Sequence, residues 1–199
     1  MDDKIKKGEY ISTILRSKQT VFSVKDIMLL WGEPISSAAR VRINYYLQSG
    51  DLYRVRRGLY VKDKNYDRLE LATKIFTPSY VSFETVLGRA GVTFQYYSQI
   101  FIASYITREI KADDQKYSYR KIKDKILTSH LGIEAKDNYS VASVERAFLD
   151  IVYLNKDYHF DNLLILNWDK VFEILPIYGG NKRMEKMVKK YYEGVKAQN

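Results

Sequence analysis

Between Ser36 and Gly50 the apolar residues Ala39, Ile43, Tyr46 and Leu47 recur at three- and four-residue steps, and Ser37, Arg40, Val41, Asn44, Tyr45 and Gln48 fall on the other side. That spacing predicts one helix with a buried face and an open one. Ser36 and Ser37 offer N-cap hydroxyls, and Gly50 supplies the left-handed stop. The period then shortens. Leu52 to Val55 and Leu59 to Val61 read as two short strands around Arg56-Arg57-Gly58, a hairpin tip that suits a phosphate better than a core. Upstream, Lys4 to Ser17 predicts a first helix, its apolar face made by Ile5, Tyr10 or Ile11, Ile14 and Leu15. Val21 and Phe22 are a short extended piece. Ser23 caps a second helix from Val24 to Leu30, with Val24, Ile27, Met28 and Trp31 inward and Asp26 at the positive helix start. Gly32-Glu33-Pro34 is the turn before the third helix, because proline does not sit inside a continuing one. Three helices and a hairpin in about sixty residues is the arithmetic of a winged helix-turn-helix.

Lys62 to Arg68 is polar and marks the expected boundary, giving a winged helix-turn-helix at 1–64 and a C-terminal mixed α/β domain at 65–199, an α+β chain. Leu69 to Ile75 predicts a short helix. Ser82 is the expected cap of a helix carrying Val86 and Leu87, which Gly91 ends. Ile100 to Thr107 is strongly β in character, Asp113-Asp114-Gln115 suits a turn, and Tyr117 to Ile126 continues as strand or helix. Tyr139 to Ala142 reads as a strand leading into an amphipathic helix over Ser143 to Leu154. Asn162 to Ala197 predicts two helices broken around Leu175-Pro176 to Gly179-Gly180.

Composition narrows the chemistry. The chain has no cysteine, which removes disulfides, thiolate catalysis and cysteine zinc sites together. No apolar run approaches the roughly 20 residues of a membrane helix. The start, MDDKIKKGEY, carries no apolar signal segment, so a cytoplasmic protein without membrane association is expected. Net charge is +9, and residues 1–64 hold 13 Lys+Arg against 7 Asp+Glu whereas 65–199 hold 20 against 17. The shorter part therefore carries most of the surplus, and a polyanion partner is expected for it.

On the open face of the third helix, Ser37, Arg40, Asn44, Tyr45 and Gln48 are the candidate DNA contacts. Arginine grips guanine or phosphate, and asparagine or glutamine pairs with adenine through two bonds. Arg54, Arg56 and Arg57 on the hairpin are better phosphate than base candidates, since a wing tip tracks the backbone. A solvated helix face with Tyr45 packed at its edge would give the same pattern. No catalytic residue, metal site or cofactor is expected. Glu145 and Arg146 point in different directions on a helix, and Arg146 and Asp150, four apart, fit a structural ion pair. Glu134 and Lys136 would suit the end of a nuclease motif, but Asp113, Asp114 and Asp124 are poorly placed to complete it. His130 and His159, the two histidines, have no glycine elbow beside them, and neither is read as catalytic. Near the end, Met184, Val188, Tyr191 and Val195 make an apolar stripe opposite Lys182, Lys186, Lys189 and Lys190. That helix is read as docked on the core with a solvated basic face, or as a second nucleic-acid contact.

Three stretches in order resemble the AbiEi-type antitoxins of type IV abortive-infection toxin–antitoxin pairs. They are the N-terminal winged helix through Gly50-Asp51-Leu52 and Arg57-Gly58-Leu59-Tyr60, the segment Pro78-Ser79-Tyr80-Val81-Ser82-Phe83-Glu84-Thr85-Val86-Leu87, and the helix Val141-Ala142-Ser143-Val144-Glu145-Arg146-Ala147-Phe148-Leu149-Asp150. The likeness covers roughly residues 5–155 and stops there. It implies a non-enzymatic repressor that binds double-stranded DNA of its own promoter, at inverted repeats. It also implies an antitoxin that neutralises a nucleotidyltransferase-type toxin without needing a stable complex. Two other classes remain open on the residues alone: a nucleic-acid-processing enzyme delivered by the winged part, and a basic module that binds RNA or protein.

Overall fold

The computed structural model describes residues 8–197 and places them in an α+β arrangement with two compact units, Met1–Ile75 and Phe76–Asn199. The division falls after Ile75, eleven residues later than the polar 62–68 stretch suggested. Lys4 to Lys7 of the expected first helix, Ile5 included, lie outside the described residues.

The first unit runs α1 (Glu9–Arg16), β1 (Val21–Ser23), α2 (Val24–Trp31), α3 (Ser37–Ser49), β2 (Tyr53–Arg56), β3 (Leu59–Val61) and α4 (Arg68–Ile75). Local chemistry sets most of these limits. Ser23 and Asp26 form a reciprocal capping box at α2, and Gly32 closes that helix in the left-handed region. Ser36 alone caps α3, its hydroxyl accepting from the Ala39 amide, so Ser37 is the first helical residue. Gly50, at φ 80°, ends α3, and the Asp51 and Leu52 amides both donate to the Tyr46 carbonyl, which turns the chain directly into the hairpin. The three strands form an antiparallel sheet in the order β1-β3-β2. Beneath it Ile14, Phe22, Ile27, Met28, Trp31, Ala39, Ile43, Tyr46, Leu52 and Tyr60 share one buried cluster. The apolar stripe read from the sequence is the face of α3 that packs into it.

Two polar clamps fix this unit. Glu33 accepts from the Tyr10 hydroxyl at 2.6 Å and from Arg42 at 2.8 Å, and the Arg42 guanidinium lies 3.6 Å over the Tyr10 ring. These contacts tie α1, the α2–α3 turn and α3 together, and hold the Glu33 carboxyl below the usual range. At the other end the buried Glu70 of α4 accepts from the Thr20 amide and hydroxyl, while Lys74 reaches the Val21 carbonyl at 2.7 Å and Asp26 at 2.9 Å.

The second unit is built on a six-stranded mixed sheet, order β6-β7-β5-β4-β9-β8. Its elements are β4 (Ser79–Val81), α5 (Glu84–Ala90), β5 (Ile100–Ser104), β6 (Arg108–Ala112), β7 (Gln115–Lys121), α6 (Asp124–Leu127), β8 (Ile133–Ala135), β9 (Ser140–Ala142), α7 (Val144–Leu154), α8 (Trp168–Ile174), a 3-10 turn at Leu175–Tyr178, and α9 (Lys182–Lys196). β4 pairs antiparallel with β5 and parallel with β9, and β5 pairs parallel with β7. Among the described residues no helix is long and apolar enough to cross a membrane.

Two expectations are corrected in this unit. Ser82 does not cap α5. The residue before that helix is Phe83, at φ 57°, and the Ser82 hydroxyl instead donates to Asp150. α7 is not amphipathic in place, because Glu145 to Val152 are all buried. Its charged residues are consumed inside. Arg146 Nε lies 3.3 Å from Asp150 Oδ1, both side chains fully buried, and the guanidinium also donates to the Leu131 and Ile126 carbonyls and the Tyr80 hydroxyl. Asp150 accepts from Tyr178 at 2.7 Å, Ser82 at 2.8 Å and Tyr80 at 3.0 Å. One ion pair thereby fastens α7 to β4, to the α6–β8 connection and to the 3-10 turn. Burial pushes the Asp150 carboxyl above its ordinary value against the opposing pull of Arg146 and the three hydroxyls.

Candidate nucleic-acid interface

α3 has enough length for three and a half turns, and only one side of it is used by the core. Ala39, Ile43 and Tyr46 are buried. Ser37, Arg40, Val41, Asn44, Tyr45 and Gln48 are exposed, and at three- and four-residue steps they form one continuous strip. The strip is chemically mixed: one guanidinium, two carboxamides, two hydroxyls and an isopropyl group. Arg42 is absent from it, because its guanidinium is spent on Glu33 and the Tyr10 ring. That contact adds to the burial of Ala39, Ile43 and Tyr46 in setting which residues of α3 face out.

The hairpin that follows carries the other cations. β2 and β3 pair with Arg54 opposite Tyr60 and Arg56 opposite Leu59, so the register slips by one residue at Val55. A bulge of this kind bends and twists a strand locally. Arg54 is exposed, its guanidinium 5.9 Å from the Tyr60 ring centre, and Arg57 is exposed at the turn, where Gly58 has φ 78°. Arg56, expected at the tip, is the last residue of β2 and half-buried. Two of the three hairpin arginines are therefore exposed to an anion, and the third is half-buried. None of Arg40, Arg54, Arg56 and Arg57 forms an ion pair among the described residues. Five cation-ready or hydrogen-bonding side chains on a helix and two arginines on a hairpin, all in one compact unit, make a surface suited to a phosphate backbone and base edges. Val41 belongs to the same strip. Its position opposite the apolar stripe was readable from the helical period, and its apolar chemistry fits a thymine methyl group.

The other groups singled out in the sequence are dispersed. Glu134 and Lys136 pair with each other at 2.8 Å on the surface, and no group of three or more metal-binding side chains occurs among the described residues. Glu145 is buried and accepts from the Asn167 amide, and Arg146 and Asp150 are saturated by each other and by their hydroxyl and carbonyl partners.

No protein-family model and no curated protein matches the sequence. The crystal structure of the RV2827C protein from Mycobacterium tuberculosis is similar over 90% of this chain and 79% of that one, with a TM-score of 0.44 and 10% sequence identity.

Proposed function

We propose that this chain is a sequence-specific, double-stranded-DNA-binding autorepressor, its first unit a winged helix-turn-helix with α3 as the reading helix and the β2–β3 hairpin as the wing. The observation that carries the reading is the open strip of α3, held in one orientation by the Tyr10–Glu33–Arg42 clamp and followed at once by a hairpin bearing Arg54 and Arg57. The element order helix, strand, helix, helix, strand, strand, with the sheet order β1-β3-β2, supports it further. Arg40 and Asn44 read base edges, Tyr45 and Gln48 bound the strip, Ser37 meets phosphate beside the helix start, and Arg54, Arg56 and Arg57 follow the backbone.

The resemblance to AbiEi-type antitoxins extends the proposal to a second activity: opposing a nucleotidyltransferase-type toxin without a lasting complex. The Arg146–Asp150 centre supports a scaffolding role for the motif helix in that second unit, since the side chains quoted from it are engaged internally. The test is fluorescence anisotropy of the full chain on the DNA upstream of its own coding region against a scrambled duplex, across a salt series. Selective binding that Arg40→Ala and Arg57→Ala weaken supports the repressor. Equal, salt-labile binding to both duplexes overturns it. Co-expression with a neighbouring nucleotidyltransferase-like gene then tests the antitoxin part through rescue of growth.

A further inference from the structure

Two aromatic rings in the second unit stand out from the surface without a packing role. Phe94 is 72% exposed and Tyr96 88% exposed, in the connection between α5 and β5. The connection is not a loose strand of chain. The Val92 carbonyl accepts from the amides of Asp161 and Asn162 at 3.0 and 3.1 Å, and the Phe94 amide donates to the Asp161 carboxylate at 2.7 Å. Tyr97, between the same anchor and β5, turns the other way and packs edge-on against the buried Phe101 at 5.3 Å. Rings 94 and 96 are thus held out by a backbone that is fastened on both sides, at the cost of leaving two aromatic faces in water.

Charge lies beside the backbone anchor of Phe94. The segment that anchors Phe94 runs on into a cleft of about 350 Å³ lined by Asp161, Asn162, Leu164, Tyr191 and Lys190. Lys190 also lines the adjoining cleft with Asp157, Tyr158 and His159. Lys186 and Lys189 are exposed on α9 beside Lys190, with Asp157, Asp161 and Glu193 the exposed acids around them, and none of these lysines has an ion-pair partner among the described residues. Exposed π faces beside unpaired ammonium groups match single-stranded nucleic acid, whose unstacked bases cover rings and whose phosphates meet lysines. A duplex offers no free base face. The Asp161 carboxylate selects between the two kinds of strand. One of its oxygens is used by the Phe94 amide, and the other accepts no hydrogen bond among the described residues, the exposed His159 lying 3.6 Å away, which leaves an acceptor in the cleft. A ribose 2′-hydroxyl can donate to it, and a deoxyribose cannot.

We infer that Phe94, Tyr96 and the Lys190 cleft form a single-stranded RNA-binding surface, separate in chemistry and in position along the chain from the α3 strip. The binding is sequence-tolerant, since stacking on a ring accepts any base. The experiment is anisotropy of fluorescein-labelled rU12 and dT12 with the full chain, wild type against the Phe94→Ala/Tyr96→Ala and Lys186→Ala/Lys190→Ala double variants. Circular dichroism checks that each variant is folded. The expected result is binding of rU12 that is tighter than that of dT12, weakened about tenfold or more by either double variant. Binding of the upstream duplex is expected to be unchanged by Phe94→Ala/Tyr96→Ala. Undetectable binding of rU12, or equal binding by wild type and Phe94→Ala/Tyr96→Ala, overturns the inference. Equal affinity for rU12 and dT12 overturns the assignment to RNA. If rU12 is ignored while Phe94→Ala/Tyr96→Ala abolishes self-association in sedimentation, the rings are a protein-docking patch instead.

Discussion

Replacing Asp150 by alanine strikes the second unit where its strands, helices and connections are joined by one carboxylate. The substitution leaves the fully buried Arg146 guanidinium without its counter-ion at 3.3 Å and removes the acceptor of three hydroxyls, those of Tyr178, Ser82 and Tyr80. Breaking a buried pair by deleting one partner costs about 3–5 kcal/mol. Each orphaned hydroxyl could add about 1 kcal/mol, but the losses overlap because the groups share one site and can re-pair. The expected cost is therefore about 4–5 kcal/mol, a large part of the roughly 5–15 kcal/mol that holds a domain together. Tyr178→Phe, which removes one donor and keeps the pair, should cost about 1–2 kcal/mol. The Arg146→Met/Asp150→Leu double variant should recover at least half of the loss, because desolvating both charges is itself costly. Urea unfolding read by fluorescence can follow each unit separately. The two tryptophans are Trp31 in the first and Trp168 in the second, so a Trp31→Phe background reports the second alone. A cost below about 1 kcal/mol for Asp150→Ala would mean that the carboxylate does not hold Arg146 in place.

Gly132→Ala should also destabilise the second unit, by about 2–4 kcal/mol in the same urea assay. Gly132 has φ 71°, and an added Cβ would sit 2.9 Å from the Arg146 Cβ, an atom too close to the backbone to swing away. Asp26 supplies a pH test in the first unit. Burial opposes its ionisation, but the Ser23 amide and Lys74 prevail and hold its carboxyl below the ordinary value of 3.8. The folded value lies under the unfolded one, so this contribution is present above the ordinary value and is lost as pH falls through the folded-state value. Asp26→Asn should flatten the decline of the first unit's melting temperature between about pH 5 and pH 2, and an unchanged profile would mean that Asp26 contributes nothing to it. Arg57→Ala should lower the salt slope of duplex binding by about 0.9, the share of one phosphate, with little change in sequence preference. An unaltered slope would take Arg57 off the DNA.

The first unit was largely legible because its signals are local. Ser23, Ser36 and Gly50 act within one turn of where they stand, and the stripe Ala39, Ile43, Tyr46 marks its buried side with no help from distant residues. What escaped there depended on register. The slip at Val55 draws Arg56 into β2, and no residue type at that place announces a bulge. In the second unit the misses were tertiary. Ser82 has the chemistry of a helix cap and is taken instead by an aspartate 68 residues later. α7 has polar residues at the period of a solvated face, but Arg146 and Asp150 satisfy each other and let that face be buried. β6 and β8, unforeseen, are short and polar, since edge strands need only one covered side. The exposed strip of α3 was readable. The grouping of Phe94 with the 161–165 segment and Lys190 was not, because nothing local links residues so far apart.

The docking of α4 has a practical consequence for anyone cutting the chain into pieces. A fragment ended at Lys64, where the sequence turns polar, would discard Glu70 and Lys74. It would leave the Thr20 amide and the Val21 carbonyl, at the rim of the first sheet, without the partners that cover them. Such a fragment should express poorly and give a broad, weak melting transition, and its failure to bind DNA would say nothing about the role proposed for α3. The portable module is the one that runs through Ile75. It is the piece to fuse to another protein if α3 and its hairpin are to be moved as a working unit.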